Sequence, residues 1–241
     1  MKKILTFALL SFTTLFAKEY MAQIKAYEMY EIKSQASGVV DFVNKKLEAS
    51  YVSKKNLLIK IDSKDENIEL KGQKNSLIAQ KEIVRIKEKN YLAKNRIKQL
   101  SQYDKNNEKL SFLEAKKELI NTQKTISKLQ NDISKKRFDI QNRYISSIDV
   151  KKGEYVNIGD KLFNMYDISK LKITLYLSKN EIENIKNKTL FVDDKKTTFK
   201  VEKINKIKDE QKVSRYKVEF IKDNTNKENY FFDTLVKVEI K

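Results

Sequence analysis

The spacing of apolar positions changes several times along the chain. Residues 4–16 form a short apolar run behind Lys2 and Lys3. Residues 18–36 are polar and mixed, entering a first strand at about Tyr30–Ser34. Short apolar clusters follow in Ser37-Gly-Val-Val-Asp-Phe-Val and in Tyr51-Val-Ser-Lys-Lys-Asn-Leu-Leu-Ile-Lys-Ile61, with Lys and Asn turns between them. This is the pattern of a small β-sandwich. Between residues 63 and 141 the spacing is helical. A second β-type stretch, Ile145 to Phe163, resembles the first. The two stretches read as halves of one β-domain, with the helices inserted between them.

Ser63 and Glu66 are spaced as a capping box, so the first helix should run from about 64 to about 103. Its apolar seam reads Ile83, Ile86, Asn90, Ala93, Ile97 and Leu100, at 3-4 spacing with one polar member. Gly72 weakens this helix locally. Asp104–Leu110 is rich in Asn and Asp and predicts the turn. Ser111 and Glu114 form a second capping box, with Leu110 as a hydrophobic staple. Beyond it Phe112, Leu119, Ile126, Ile133 and Ile140 recur every seven residues, and Ala115, Thr122 and Leu129 supply the other seam position. A narrow seam pairs with one partner helix. The nearest partner is the preceding helix, which predicts an antiparallel coiled-coil hairpin about 60 Å long.

In the second β-half, Gly153 and Gly159 mark two turns flanked by alternating apolar residues. Superposing Tyr155-Val156 on Tyr51-Val52 sets Ala49 under Gly153 and Lys55 under Gly159, with Asn56 available for the turn. Gly38 precedes Val39-Val40 in the first half. From Leu171 the sequence Leu-Lys-Ile-Thr-Leu-Tyr-Leu alternates at period two, the mark of a half-buried strand. Ser178 and Glu181 cap a short helix over 180–186. Strand-like segments follow at 189–192, 198–204, 215–221 and 235–240, which predicts a small antiparallel barrel.

Composition narrows the chemistry. The 241 residues contain no His, Cys, Trp or Pro, so His- and Cys-based catalysis and zinc sites of those ligands are excluded. No paired-carboxylate or nucleophile constellation stands out, and no cofactor is expected. The net charge is +18. Lys alternates with acids along the helices, without a basic block or a nucleic-acid-binding motif, so no nucleic-acid partner is expected. The basic start, the apolar run and Ala17 form a secretory signal peptide, cleaved after Ala17 or retained as an anchor. Removing Lys2 and Lys3 leaves +18 − 2 = +16.

The order of these pieces resembles the periplasmic adaptor proteins, or membrane fusion proteins, of tripartite efflux pumps. The motifs that carry the resemblance are Lys152-Gly-Glu-Tyr-Val-Asn-Ile-Gly-Asp-Lys-Leu-Phe, Asp167-Ile-Ser-Lys-Leu-Lys-Ile and Leu177-Ser-Lys-Asn-Glu-Ile-Glu-Asn-Ile. The resemblance implies a mainly β protein with a long α-helical hairpin. Its parts would be a signal peptide (1–17), a lipoyl-like domain split into 18–62 and 142–168, the hairpin (63–141) and a β-barrel domain (169–241). Many such adaptors continue after the barrel into a membrane-proximal domain. This sequence departs from them by stopping at Lys241, so that domain is expected to be absent. In this it resembles short adaptors of Campylobacter- and Helicobacter-like bacteria. Its implied partners are an inner-membrane transporter of the resistance-nodulation-division (RND) type or of the ABC type, a TolC-like outer-membrane channel, and further copies in a ring. The implied location is the periplasm, at the inner membrane. At the hairpin tip, Arg96, Leu100 and Ser111 resemble the Arg, Leu and Ser with which such adaptors meet the channel. Two rivals are a biotinyl or lipoyl carrier, for which Lys60 would be the wrong kind of lysine because it lies within a strand run, and an exported coiled-coil scaffold.

Overall fold

A computed structural model of the chain describes residues 18–209, 215–225 and 231–241. The segment read as a signal peptide, 1–17, lies outside the described residues. The elements in chain order are β1 (Glu19–Lys33), β2 (Gly38–Val43), β3 (Ser50–Val52), β4 (Asn56–Ile61), α1 (Lys64–Arg96), α2 (Gln102–Lys135), β5 (Arg137–Ile140), β6 (Arg143–Ile148), β7 (Tyr155–Val156) and β8 (Lys161–Leu177). They continue with α3 (Lys179–Ile182), β9 (Leu190–Val192), β10 (Lys195–Lys196), β11 (Lys200–Lys208), β12 (Tyr216–Asp223) and β13 (Thr234–Ile240). The chain divides into two compact units, Tyr30–Met165 and a second built from Tyr166–Lys241 with the described residues up to Met29.

In the first unit the two β-halves interlock. β2 pairs with β7 from the other half, through Gly38↔Val156 and Val39↔Tyr155. β6 returns the exchange by pairing with β3, through Tyr51↔Tyr144. β2 also pairs with β4, and β4 with β5. Val40, Leu58, Ile59, Ile61, Ile145 and Leu162 are fully buried in the shared core. Neither half could bury these residues alone, which is why the pattern repeats on both sides of the helices. The superposition of halves extends to the backbone. Ala49, set under Gly153 by the sequence, has φ 54° where Gly153 has φ 88°. Gly159 has φ 95° but Lys55 is not left-handed, and Asn56 opens β4.

The two helices form an antiparallel arm within this unit, but the turn lies elsewhere than the sequence suggested. α1 ends at Arg96 and α2 begins at Gln102, so Asp104–Leu110 is helical and Ser111 is no cap. The helices have 33 and 34 residues, which makes the arm about 50 Å long. α2 ends before Ile140, which is buried in β5. The capping box at Ser63 is replaced as well. The Asp62 carboxylate accepts from the Lys64 amide at 3.0 Å, Ser63 Oγ accepts from Asn67 Nδ2, and Glu66 pairs with Lys136 across the arm base.

The second unit is a curled half-barrel with strand order β10-β9-β13-β1-β8-β12-β11. Period two works as expected here. Leu171, Ile173, Leu175 and Leu177 all point inward, and β12 lies against them from Tyr216↔Leu177 to Asp223↔Lys170. The core adds Ile185, Val218, Phe220, Val236 and Val238. The Glu181 carboxylate caps α3 by accepting from the Ser178 amide at 2.7 Å. One segment departs from the expected boundaries. Residues 19–24 belong to β1 and pair with β13, from Glu19↔Glu239 to Ile24↔Thr234, rather than leading into the first β-half. Their alternation was hidden because only Ala22 and Ile24 are fully buried there.

Candidate functional site at the tip of the helical arm

Two sevenfold series on each helix build the arm. On α2 they are those expected, Phe112-Leu119-Ile126-Ile133 and Ala115-Thr122-Leu129, with Thr122, Ile126 and Leu129 buried. On α1 the inward series is Leu70-Leu77-Val84-Tyr91, alternating with Gln73-Gln80-Lys87. The seam predicted from Ile83, Ile86, Asn90, Ala93, Ile97 and Leu100 is not the inner one. Ile83 and Ile86 are 47% and 48% exposed.

Three contacts set the register. Tyr91 stacks on Phe112 with ring centroids 6.0 Å apart, Lys94 pairs with Glu108, and Glu66 pairs with Lys136. On this register Val84 shares a level with Leu119, and Leu77 with Ile126. The register also locates the turn. The midpoint of Tyr91 and Phe112 is (91 + 112)/2 = 101.5, and no turn centred near residue 107 could bring those rings together.

The tip is therefore residues 97–101. The Ile97 amide donates to the Lys94 carbonyl at 3.2 Å and closes α1. Ser101 starts α2. Its Oγ accepts from the Asp104 amide at 3.1 Å and donates to the Asp104 carboxylate at 2.6 Å. Asp104 in the first turn also favours the positive end of the helix dipole. Arg96 is exposed at the end of α1, and Leu100 is half-buried in the turn. Ile97 and Tyr103 are exposed on either side of it, and Arg96 and Lys98 flank Ile97 in the chain.

The three tip residues predicted from the sequence are thus not brought together. Arg96 and Leu100 are at the tip. Ser111 lies about 15 Å further along α2, at ten residues past Ser101. Its Oγ accepts from Lys87 Nζ at 2.6 Å, a bond across the arm. The serine that begins the second helix is Ser101, whose signal was the acid three residues on.

The tip presents charged and apolar side chains, Arg96 and Lys98 beside Ile97 and Leu100. Among the described residues no set of three His, Cys, Asp or Glu side chains is placed to hold a metal ion. Lys60 lies in β4, and its Nζ donates to Asp41 at 3.0 Å. That bond holds the Asp41 carboxyl below its ordinary range. Among the described residues no helix is long and apolar enough to cross a membrane.

No protein-family model matches the chain, and no curated protein matches its sequence. Solved structures do match. The membrane fusion protein Spr0693 from Streptococcus pneumoniae is 13% identical with a TM-score of 0.70, over 93% of this chain and 99% of that one. A MacA-MexA chimeric protein containing the Pseudomonas aeruginosa MexA α-hairpin domain is 16% identical with a TM-score of 0.67, over 93% and 82%. A putative efflux transporter from Bacteroides eggerthii is 16% identical with a TM-score of 0.63, over 92% and 68%. The interlocked β-halves, the inserted two-helix arm and the half-barrel together give this chain the membrane fusion protein fold.

Proposed function

We propose that the protein is the periplasmic adaptor subunit of a tripartite efflux pump. It would link an inner-membrane transporter, RND type as first choice, to a TolC-like outer-membrane channel, and export drugs or other toxic compounds. The observation that carries the reading is the two-helix arm inserted between interlocked β-halves, in a chain whose length is matched almost throughout by a membrane fusion protein. The β-halves would be the lipoyl-like domain and the half-barrel the domain that meets the transporter. The leader at 1–17 would direct export, and the protein's work would be mechanical rather than catalytic. Several copies would form a ring whose arms enclose a conduit.

The channel contact in this reading is made by Arg96, Leu100 and Ser101. Leu100 supplies apolar area on the turn, Arg96 a charge-assisted donor, and Ser101 the cap that holds the turn in shape. Leu100→Asp should abolish cross-linking to the channel and lower drug resistance, with normal expression and unchanged helix content. Unchanged resistance and channel cross-linking in that variant would sink the tip assignment.

A further inference from the structure

β1 is an inner strand of the half-barrel, with β13 on one side and β8 on the other. Its pairing with β13 begins at its first residue, with Glu19↔Glu239 and Tyr20↔Val238. Side chains tie down the same end. Lys18 pairs with Glu181, and Glu19 pairs with Lys237 at 3.3 Å. The Tyr20 hydroxyl donates to the Glu181 carboxylate, and the ring packs against the core that holds Val238. Further along the strand, Ala22 and Ile24 are buried.

The bond that would free the leader, between Ala17 and Lys18, is one residue from this strand. At about 3.3 Å per residue it lies within about 7 Å of paired backbone. A peptidase takes its substrate as an extended strand and supplies hydrogen bonds to the residues beside the scissile bond. Beyond the bond those residues are Lys18, Glu19 and Tyr20. In the assembled half-barrel β13 and two ion pairs already hold them. Fraying releases Lys18 and Glu19 readily, but Tyr20 must leave the core.

We propose that removal of the leader and assembly of the half-barrel exclude each other. The bond between Ala17 and Lys18 is hydrolysed only while β1 is free of β13. In the site of a membrane-bound leader peptidase, water adds across it, leaving a carboxylate on Ala17 and a new amino group on Lys18. A chain whose half-barrel assembles first keeps residues 1–17 and stays held at the membrane by them. The order of the elements favours the released form. β13 lies more than two hundred residues beyond β1, and synthesis at about 5–20 residues/s leaves about ten seconds or more before the two can pair. Hydrolysis at a typical enzyme turnover of about 10 s⁻¹ is faster than that. The last strand is thus a timer between the two fates of the leader. The inference rests on the reading of 1–17 as a leader.

The test uses the purified full chain in detergent micelles with a purified bacterial leader peptidase. Loss of the leader is followed on gels and by N-terminal sequencing. Three precursors are compared. One is the natural chain. The second carries a Gly-Ser spacer of about six residues, about 20 Å when extended, between Lys18 and Glu19. The third is Val238→Asp, which puts a carboxylate in the core opposite Tyr20. Amide spectra check that the natural and spacer chains share one fold. Both variants should be cut promptly, and the natural chain at least about tenfold more slowly, because local opening must precede each cut. A natural folded chain cut as fast as the spacer chain would overturn the proposal. So would a spacer chain as resistant as the natural one while Val238→Asp is cut. If no precursor is cut, even when freshly diluted from urea, the leader reading itself falls and takes the proposal with it.

Discussion

Gly38 shows how little room one position can have. Its φ is 153°, and a Cβ there would stand 2.8 Å from Ile61 Cγ2, a side chain fully buried in the core of the first unit. Gly38→Ala should cost about 1–3 kcal/mol, read as a lower urea midpoint with an unchanged slope. Glu181 makes the corresponding electrostatic case. Burial works against its charge, but hydrogen bonds from Lys18 and Ser178 outweigh that and bring its carboxyl down to about 2. A folded-state value below the unfolded one stabilises above the unfolded value of about 4.5, and the gain is lost as pH falls toward 2. Stability of the half-barrel unit should therefore decline across that window, and Glu181→Gln should flatten the decline in acid titrations of the unfolding midpoint.

At the scale of elements, the arm separates two stripes of similar composition by what they touch. Ile126 is 8% exposed and faces Leu77 on the register set by Tyr91 and Phe112. Ile126→Ala should destabilise the arm by about 2–5 kcal/mol. Ile86→Ala, on the outer stripe, should leave the unfolding of a dilute monomer nearly unchanged. Thermal melts followed by helical circular dichroism compare the two. The sevens on α2 were legible from Phe112 to Ile133 because one strongly apolar series dominates that helix. On α1 two series compete. The outer one holds Ile83, Ile86 and Ile97, while the inner one mixes Leu and Val with Gln and Lys. Hydropathy favours the outer series, and only the partner helix decides between them.

At the scale of the whole molecule, the arm is an insertion whose removal should be tolerated. β4 and β5 are already paired on either side of it, from Asn56↔Ile140 to Lys60↔Arg137, and the Ile61 amide donates to the Lys136 carbonyl at 2.8 Å. The core of that unit takes Val40, Leu58, Ile145 and Leu162 from strands outside the arm. Replacing 64–135 by a short glycine-containing turn should remove the helical signal and leave a cooperative unfolding transition. A chain that loses its dispersed amide spectrum on that deletion would show that the arm holds the halves together.

Much of this protein is determined locally. Period two in 171–177 and the sevens of α2 each follow from local side-chain periodicity, and each was readable. The likeness of the two β-halves was readable as well, although they bury each other across the inserted arm. The alignment of Ala49 with Gly153 was readable as an imperfect repeat, whereas the left-handed turn that the two share shows only in the backbone. What needed tertiary structure were choices among local alternatives of similar quality. Ser101 and Ser111 both carry an acid three residues on, and Asn- and Asp-rich 104–110 would serve equally as turn or helix. The register of Tyr91 on Phe112 selects Ser101 and leaves Ser111 bonded to Lys87. Likewise β1 was hidden until β13, more than two hundred residues away, supplied its partner. Local propensity sets which elements can form. Where two placements cost nearly the same, the surface that a distant segment buries chooses between them.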